Sequence, residues 1–166
     1  LYRKLQPKRI SGIDLSEGML AIAREKAKAA GLASIIDFEV GDCLALKYDE
    51  GTFDAVTVAY GVRNFEHLEQ GYAEMYRVLS KGGVLCVIEL STPRNPLCLA
   101  FYRFYTRYLI PFVGRMVSKD TRAYSYLPES IAAVPQGEEM LDIMRRAGFT
   151  GCRCYPLTFG TCTICM

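Results

Sequence analysis

An apolar run from Ile10 to Leu15 passes without a linker into Ser16-Glu17-Gly18-Met19-Leu20, so a short strand ending at Asp14 leads directly into a helix. This strand-to-helix step, repeated along a chain, constrains the fold to an open α/β sheet with helices packed on its faces. Ser16 is placed to cap a helix running to about Ala30, with Met19, Ala23, Ala27 and Ala30 on one stripe and Gly31 as its stop. Ile36 to Val40 and Phe53 to Ala59 read as further strands. Leu68, Tyr72, Met75 and Leu79 mark a second amphipathic helix, ended by Lys81-Gly82-Gly83 before a buried strand, Val84 to Glu89. Met140, Ile143, Met144 and Ala147 mark a third helix, stopped by Gly148, and a hairpin turns around Gly160 between Cys152–Thr158 and Thr161–Met166.

Two of these strands end in acids. Asp14 closes the first, and Asp42 follows the second within Gly41-Asp42-Cys43, so parallel strands deliver two carboxylates to one sheet edge. A carboxylate at a strand end accepts both vicinal hydroxyls of a nucleoside ribose, and a second acid beside it suits the adenine amine. The pair points to an adenosyl cofactor, with the Cys43 backbone N–H facing the base. Helix capping for Asp14 and a turn for Asp42 are the plainer roles of the same residues. A nicotinamide cofactor shares Asp14 but gives no account of Asp42. NADH against S-adenosylhomocysteine in a thermal shift assay separates the two.

The 166 residues, 51% hydrophobic and 23% charged, suffice for one sizeable core. A net charge of +2 gives no argument for nucleic acid, and no signal peptide or membrane-spanning run is visible. The expected setting is cytoplasmic, with any membrane contact peripheral. Seven cysteines raise disulfides or zinc, but Cys162 and Cys165 point to opposite faces of an extended strand, so reduced, buried thiols are the expectation. His67, the single histidine, follows Glu66 at a helix start and reads as a surface residue.

Three blocks carry a resemblance: GIDLSEGML at Gly12 to Leu20, FDAVTVAYGVRNF at Phe53 to Phe65 and YRVLSKGGVLCVIELSTP at Tyr76 to Pro93. With YSYLPESI at Tyr124 to Ile131, they make the chain resemble the ubiquinone/menaquinone biosynthesis C-methyltransferases, of the class I S-adenosylmethionine type. The resemblance implies a Rossmann-like α/β sheet forming one domain over residues 1–166, with a helical substrate cap at 91–135. It implies a cofactor site of Asp14, Leu15, Asp42, Cys43 and Ala59. The family's glycine-rich loop after a first strand has no counterpart here, and Leu1-Tyr2-Arg3-Lys4-Leu5 reads as the end of a helix, so the sequence reads as truncated at its N-terminus. That loop brings backbone N–H groups to the methionine portion of the cofactor. Strand edges beside the gap leave room for self-association as a homodimer.

The implied reaction moves a methyl group from S-adenosylmethionine to a ring carbon of a lipophilic hydroquinone, such as demethylmenaquinol. The sulfonium is already activated, so no metal is required. Arg63 is the expected catalytic cation beside a developing phenolate, since a guanidinium stays protonated and makes a poor base. It can also simply pair with Glu66. Asn64 would orient the substrate oxygen, and Tyr124 or Tyr126 would hydrogen-bond it. From Leu90 to Lys119 no acidic residue occurs, while Arg94, Arg103, Arg107, Arg115 and Lys119 interleave with six aromatic residues between Phe101 and Phe112. Such a stretch suits a cap over an apolar substrate or contact with an anionic membrane; a helix pair packed on the sheet is the plainer alternative. Another small-molecule methyltransferase and an inactive fragment that has lost its cofactor remain the competing functions.

Overall fold

The computed structural model of the chain describes residues 2–109 and 130–166. They form two compact units, Leu1–Tyr48 and Asp49–Met166.

In the first unit, helix α1 (Tyr2–Leu5) precedes strand β1 (Ile10–Asp14), helix α2 (Glu17–Ala29) and strand β2 (Ile36–Val40). Ser16 caps α2 as expected, its side chain accepting the Met19 N–H at 3.3 Å. The inner stripe differs from the expected one. Leu20 is 3% and Ala27 8% exposed, whereas Met19 is 59% exposed. Arg24 explains the shift: it lies half-buried on the inner stripe, and its Nη2 donates to the Phe38 carbonyl at 3.0 Å. An amphipathic side chain thus fills a position that an apolar pattern skips. Strands β1 and β2 are parallel, with Ile10 opposite Ile36 and Asp14 opposite Val40. Gly12 is required where it stands, because a Cβ there would lie 2.7 Å from the Phe38 ring.

The second unit holds β3 (Phe53–Ala59), a 3-10 turn (Val62–Asn64), α3 (Leu68–Val78), β4 (Leu79–Leu90), α4 (Pro96–Phe104) continued by a π-helical turn (Tyr105–Leu109), α5 (Glu138–Arg146), β5 (Cys154–Leu157) and β6 (Cys162–Cys165). Its sheet runs β3-β4-β6-β5, parallel between β3 and β4 and antiparallel elsewhere. Lys81-Gly82-Gly83 does not end α3. Leu79 is already extended, and the register jumps from Phe53 opposite Leu79 to Ala55 opposite Val84, so the glycines form a bulge inside β4. Gly82 takes the left-handed φ of +82° at that bulge, a conformation that costs glycine little.

Helices α3 and α5 bury the expected stripes. Tyr72 and Met144 are 0% exposed, Met75 2% and Met140 4%. The Tyr72 hydroxyl donates to Met140 Sδ at 3.0 Å. Burial first, and the charge of Glu89 second, push the Tyr72 phenol well above its ordinary value. The folded state therefore holds this proton where the unfolded chain releases it, and stability falls as pH rises above about 10, the ordinary tyrosine value. Tyr72→Phe is expected to reduce this alkaline loss, seen as a smaller drop in melting temperature between pH 9 and about 11 than in the parent. Equal drops would remove Tyr72 from the alkaline response.

The closing hairpin forms around Gly160, with strands shorter than the sequence pattern. It also corrects the expectation of reduced thiols, because Cys154 and Cys165 are joined in a disulfide. Alternation along one strand separates the side chains of that strand, but antiparallel pairing sets Cys154 directly opposite Cys165. Among the described residues, Cys43, Cys86, Cys98, Cys152 and Cys162 are free thiols. No helix among the described residues is long and apolar enough to cross a membrane.

Candidate active site

The parallel register of the first unit brings the carboxyl ends of β1 and β2 together, and with them four expected cofactor residues. Asp14 Oδ1 accepts the Ser16 N–H at 2.8 Å, while its Oδ2 has no hydrogen-bond partner among the described residues. Asp42 Oδ1 accepts the Leu44 N–H at 2.8 Å and its carbonyl accepts from Ala45 at 3.1 Å, which makes it the turn residue of Gly41-Asp42-Cys43 as well. Both acids are exposed, and Leu15 beside them is 72% exposed. Cys43 is half-buried, and burial first, then the Asp42 carboxylate, push its thiol up, so it stays protonated at neutral pH. This strand edge is an acidic, solvent-facing rim with an acceptor still available at Asp14.

In the second unit, Ala59 ends β3 in an exposed position. The chain then turns sharply. Tyr60 holds a left-handed φ of 57°, a conformation that costs a bulky residue on the order of 1–3 kcal/mol unless its surroundings enforce it. Two hydrogen bonds do so: the Tyr60 N–H donates to the Ile88 carbonyl at 2.8 Å, and the Tyr60 carbonyl accepts Arg63 Nη1 at 2.7 Å. Arg63 pairs with Glu89 rather than Glu66. Its Nη1 lies 2.7 Å from Glu89 Oε1, and its backbone N–H donates to Oε2 at 3.2 Å. The two side chains are 14% and 8% exposed, and Leu90 N–H adds a third bond to the carboxylate at 2.9 Å. Arg63 Nε is buried without a hydrogen-bond partner among the described residues, so the guanidinium keeps donor capacity. Asn64 and His67 are exposed, the latter at the start of α3. Tyr124 and Tyr126 lie outside the described residues, as does much of the expected cap at 91–135.

Glu89 is the residue that sequence reasoning passed over. It is buried near the carboxyl end of β4, and a carboxylate there needs a cation close by. The only signal was that requirement, matched to an Arg63 whose partner was unsettled. Glu89 also borders a narrow pocket at the carboxyl end of β4. Val87, Val134, Pro135 and Met140 give it apolar walls, and Gln136 and Thr163 add polar groups. Gln136 is fixed on both sides, accepting the Thr92 N–H at 2.9 Å and donating to the Ile131 carbonyl at 2.6 Å.

Residues 3–166 match the model of the ubiE/COQ5 methyltransferase family. The chain belongs to that family. A demethylmenaquinone methyltransferase of Bacteroides fragilis is 47% identical over 161 residues, covering 97% of this chain and 66% of that protein. The ubiquinone/menaquinone biosynthesis C-methyltransferase UbiE of Geobacter sulfurreducens is 40% identical over 155 residues, covering 93% of this chain and 60% of that protein. This ubiE/COQ5 family member thus spans less than two thirds of the length of either relative. A SAM dependent methyltransferase from Aquifex aeolicus superposes with a TM-score of 0.62 at 16% identity, over 95% of this chain and 66% of that one. That likeness shows the fold, the Rossmann-like α/β architecture of class I methyltransferases.

Proposed function

We propose that the protein carries out S-adenosylmethionine-dependent C-methylation of a prenylated hydroquinone, of the demethylmenaquinol type. The observation that carries the reading is the pair of strand-end carboxylates, Asp14 and Asp42, on a chain of the ubiE/COQ5 family. The free Oδ2 of Asp14 is an acceptor of the kind a ribose hydroxyl requires, and Asp42 with Cys43 stands beside it for the adenine edge. Leu15, next to Asp14, supplies apolar contact. When bound, the cofactor supplies an activated methyl group on a sulfonium.

The remaining work belongs to side chains of the second unit. The bound cofactor would give up its methyl group to a ring carbon of the hydroquinone, with the sulfur keeping the electron pair of the broken bond and the ring proton passing to solvent. The reaction needs electron density on that carbon, which a phenolate oxygen provides. Arg63, locked by Glu89 and the Tyr60 carbonyl, is a preorganised donor for that oxygen. Asn64 would orient it, and Tyr124 or Tyr126 would hydrogen-bond it.

Asp14→Ala in the full-length protein is expected to weaken S-adenosylmethionine binding by roughly 1.5–3 kcal/mol, the value of charge-assisted hydrogen bonds lost. Calorimetric titration reads it directly. Unchanged affinity in a folded variant removes Asp14 from the site, and thermal protection by NADH in place of S-adenosylhomocysteine replaces the reading with a reductase.

A further inference from the structure

Helix α4 buries none of its residues, and with the π turn after it carries a row of large apolar side chains that face outward. Leu97, Phe101, Phe104, Tyr105 and Tyr108 recur at intervals of a single helical face, and they are 80%, 70%, 59%, 43% and 60% exposed. The half-buried positions are Cys98, Leu99, Tyr102 and Thr106. On the outer face the rings associate with one another, Phe101 with Tyr105 at 6.5 Å and Phe104 with Tyr108 at 5.5 Å between centroids. A contiguous aromatic ridge of this kind is larger than isolated surface apolar residues, and it calls for an apolar partner.

Charge decides which partner. Arg103 and Arg107 are exposed beside the ridge, Arg94 is exposed just before the helix, and no acidic residue occurs between Leu90 and Lys119. A protein partner would have to match both a ridge of rings and unrelieved positive charge. An anionic lipid surface offers both at once: headgroup phosphates for the arginines and the acyl boundary for the rings. We infer that the outward face of α4, through Leu97, Phe101, Phe104 and Tyr108 flanked by Arg103 and Arg107, docks the protein on an anionic phospholipid bilayer. The inference rests on α4 alone and does not need the methyl-transfer reading.

The chain contains no tryptophan, so Phe104→Trp in this 166-residue chain places a single reporter on the ridge. Its emission is expected to be that of an exposed indole in buffer and to shift to shorter wavelength with equimolar phosphatidylglycerol and phosphatidylcholine vesicles, but far less with phosphatidylcholine alone. Adding Arg103→Gln and Arg107→Gln should lower vesicle partitioning by about tenfold or more, and Phe101→Ser with Tyr108→Ser should abolish the shift. All these side chains are exposed, so circular dichroism should match the parent. An exposed emission with no vesicle response overturns the proposal. So does a short-wavelength emission without vesicles: persistence on dilution means that another part of the chain covers the ridge, and reversal on dilution means that a second copy does. Unchanged partitioning of the arginine variant overturns the anionic surface as the partner.

Discussion

Glu89→Ala is expected to lower the free energy of unfolding by about 3–5 kcal/mol, the cost of removing one member of a buried ion pair. The carboxylate accepts three hydrogen bonds, from Arg63 Nη1, the Arg63 backbone and Leu90. Alanine would leave a guanidinium that is 14% exposed with the Tyr60 carbonyl as its remaining acceptor and with Nε already unpartnered. The lost attraction matters less than the stranded charge. Arg63→Met with Glu89→Leu should therefore recover most of the deficit, since apolar residues of similar volume replace a buried pair at little cost. Urea unfolding of the single and double variants, with unchanged m-values, measures both effects. A loss under about 1 kcal/mol for Glu89→Ala would mean that the pair behaves as a surface salt bridge.

Arg63→Lys is expected to act on rate instead. Lysine keeps the charge that Glu89 requires, so the folded state survives; Arg63 Nη1 alone meets both Glu89 and the Tyr60 carbonyl, and an ammonium lacks the second arm of the guanidinium that is proposed to face a phenolate. Losing one preorganised donor at a developing anion slows chemistry by roughly 10²–10³-fold. Cofactor affinity should change little, because Arg63 is not among the residues proposed to hold the cofactor. Single-turnover methylation of a short-chain demethylmenaquinol separates the chemical step from binding. Equal single-turnover rates in variant and parent would make Arg63 purely structural.

These two residues show where sequence reasoning stopped. Arg63 was legible as a cation after a strand, in GVRNF, but its sequence neighbour Glu66 was as plausible a partner as any. Glu89 lies 26 residues away, and only the parallel pairing of β3 with β4 brings it to the Arg63 turn. The same limit applies to Cys154 and Cys165, whose opposition is a property of two strands. Arg24 illustrates a different one: its apolar stem occupies an inner position of α2 that a pattern of apolar residues does not count.

Local rules sufficed wherever the decisive contact lay within a few residues. Ser16 at the α2 cap, the bounds of β1, β2 and β3, the inner faces of α3 and α5, and the acids Asp14 and Asp42 at strand ends were all determined by the sequence alone. Periodicity, capping and strand-end placement operate over one turn or one strand. Tertiary structure alone decided the ion pair that locks Arg63, the disulfide across the hairpin, the bulge of Lys81-Gly82-Gly83 inside β4 and the outward turn of the α4 ridge. Each depends on which distant segment lies opposite, and strand register is set by the packing of the whole unit rather than by either strand.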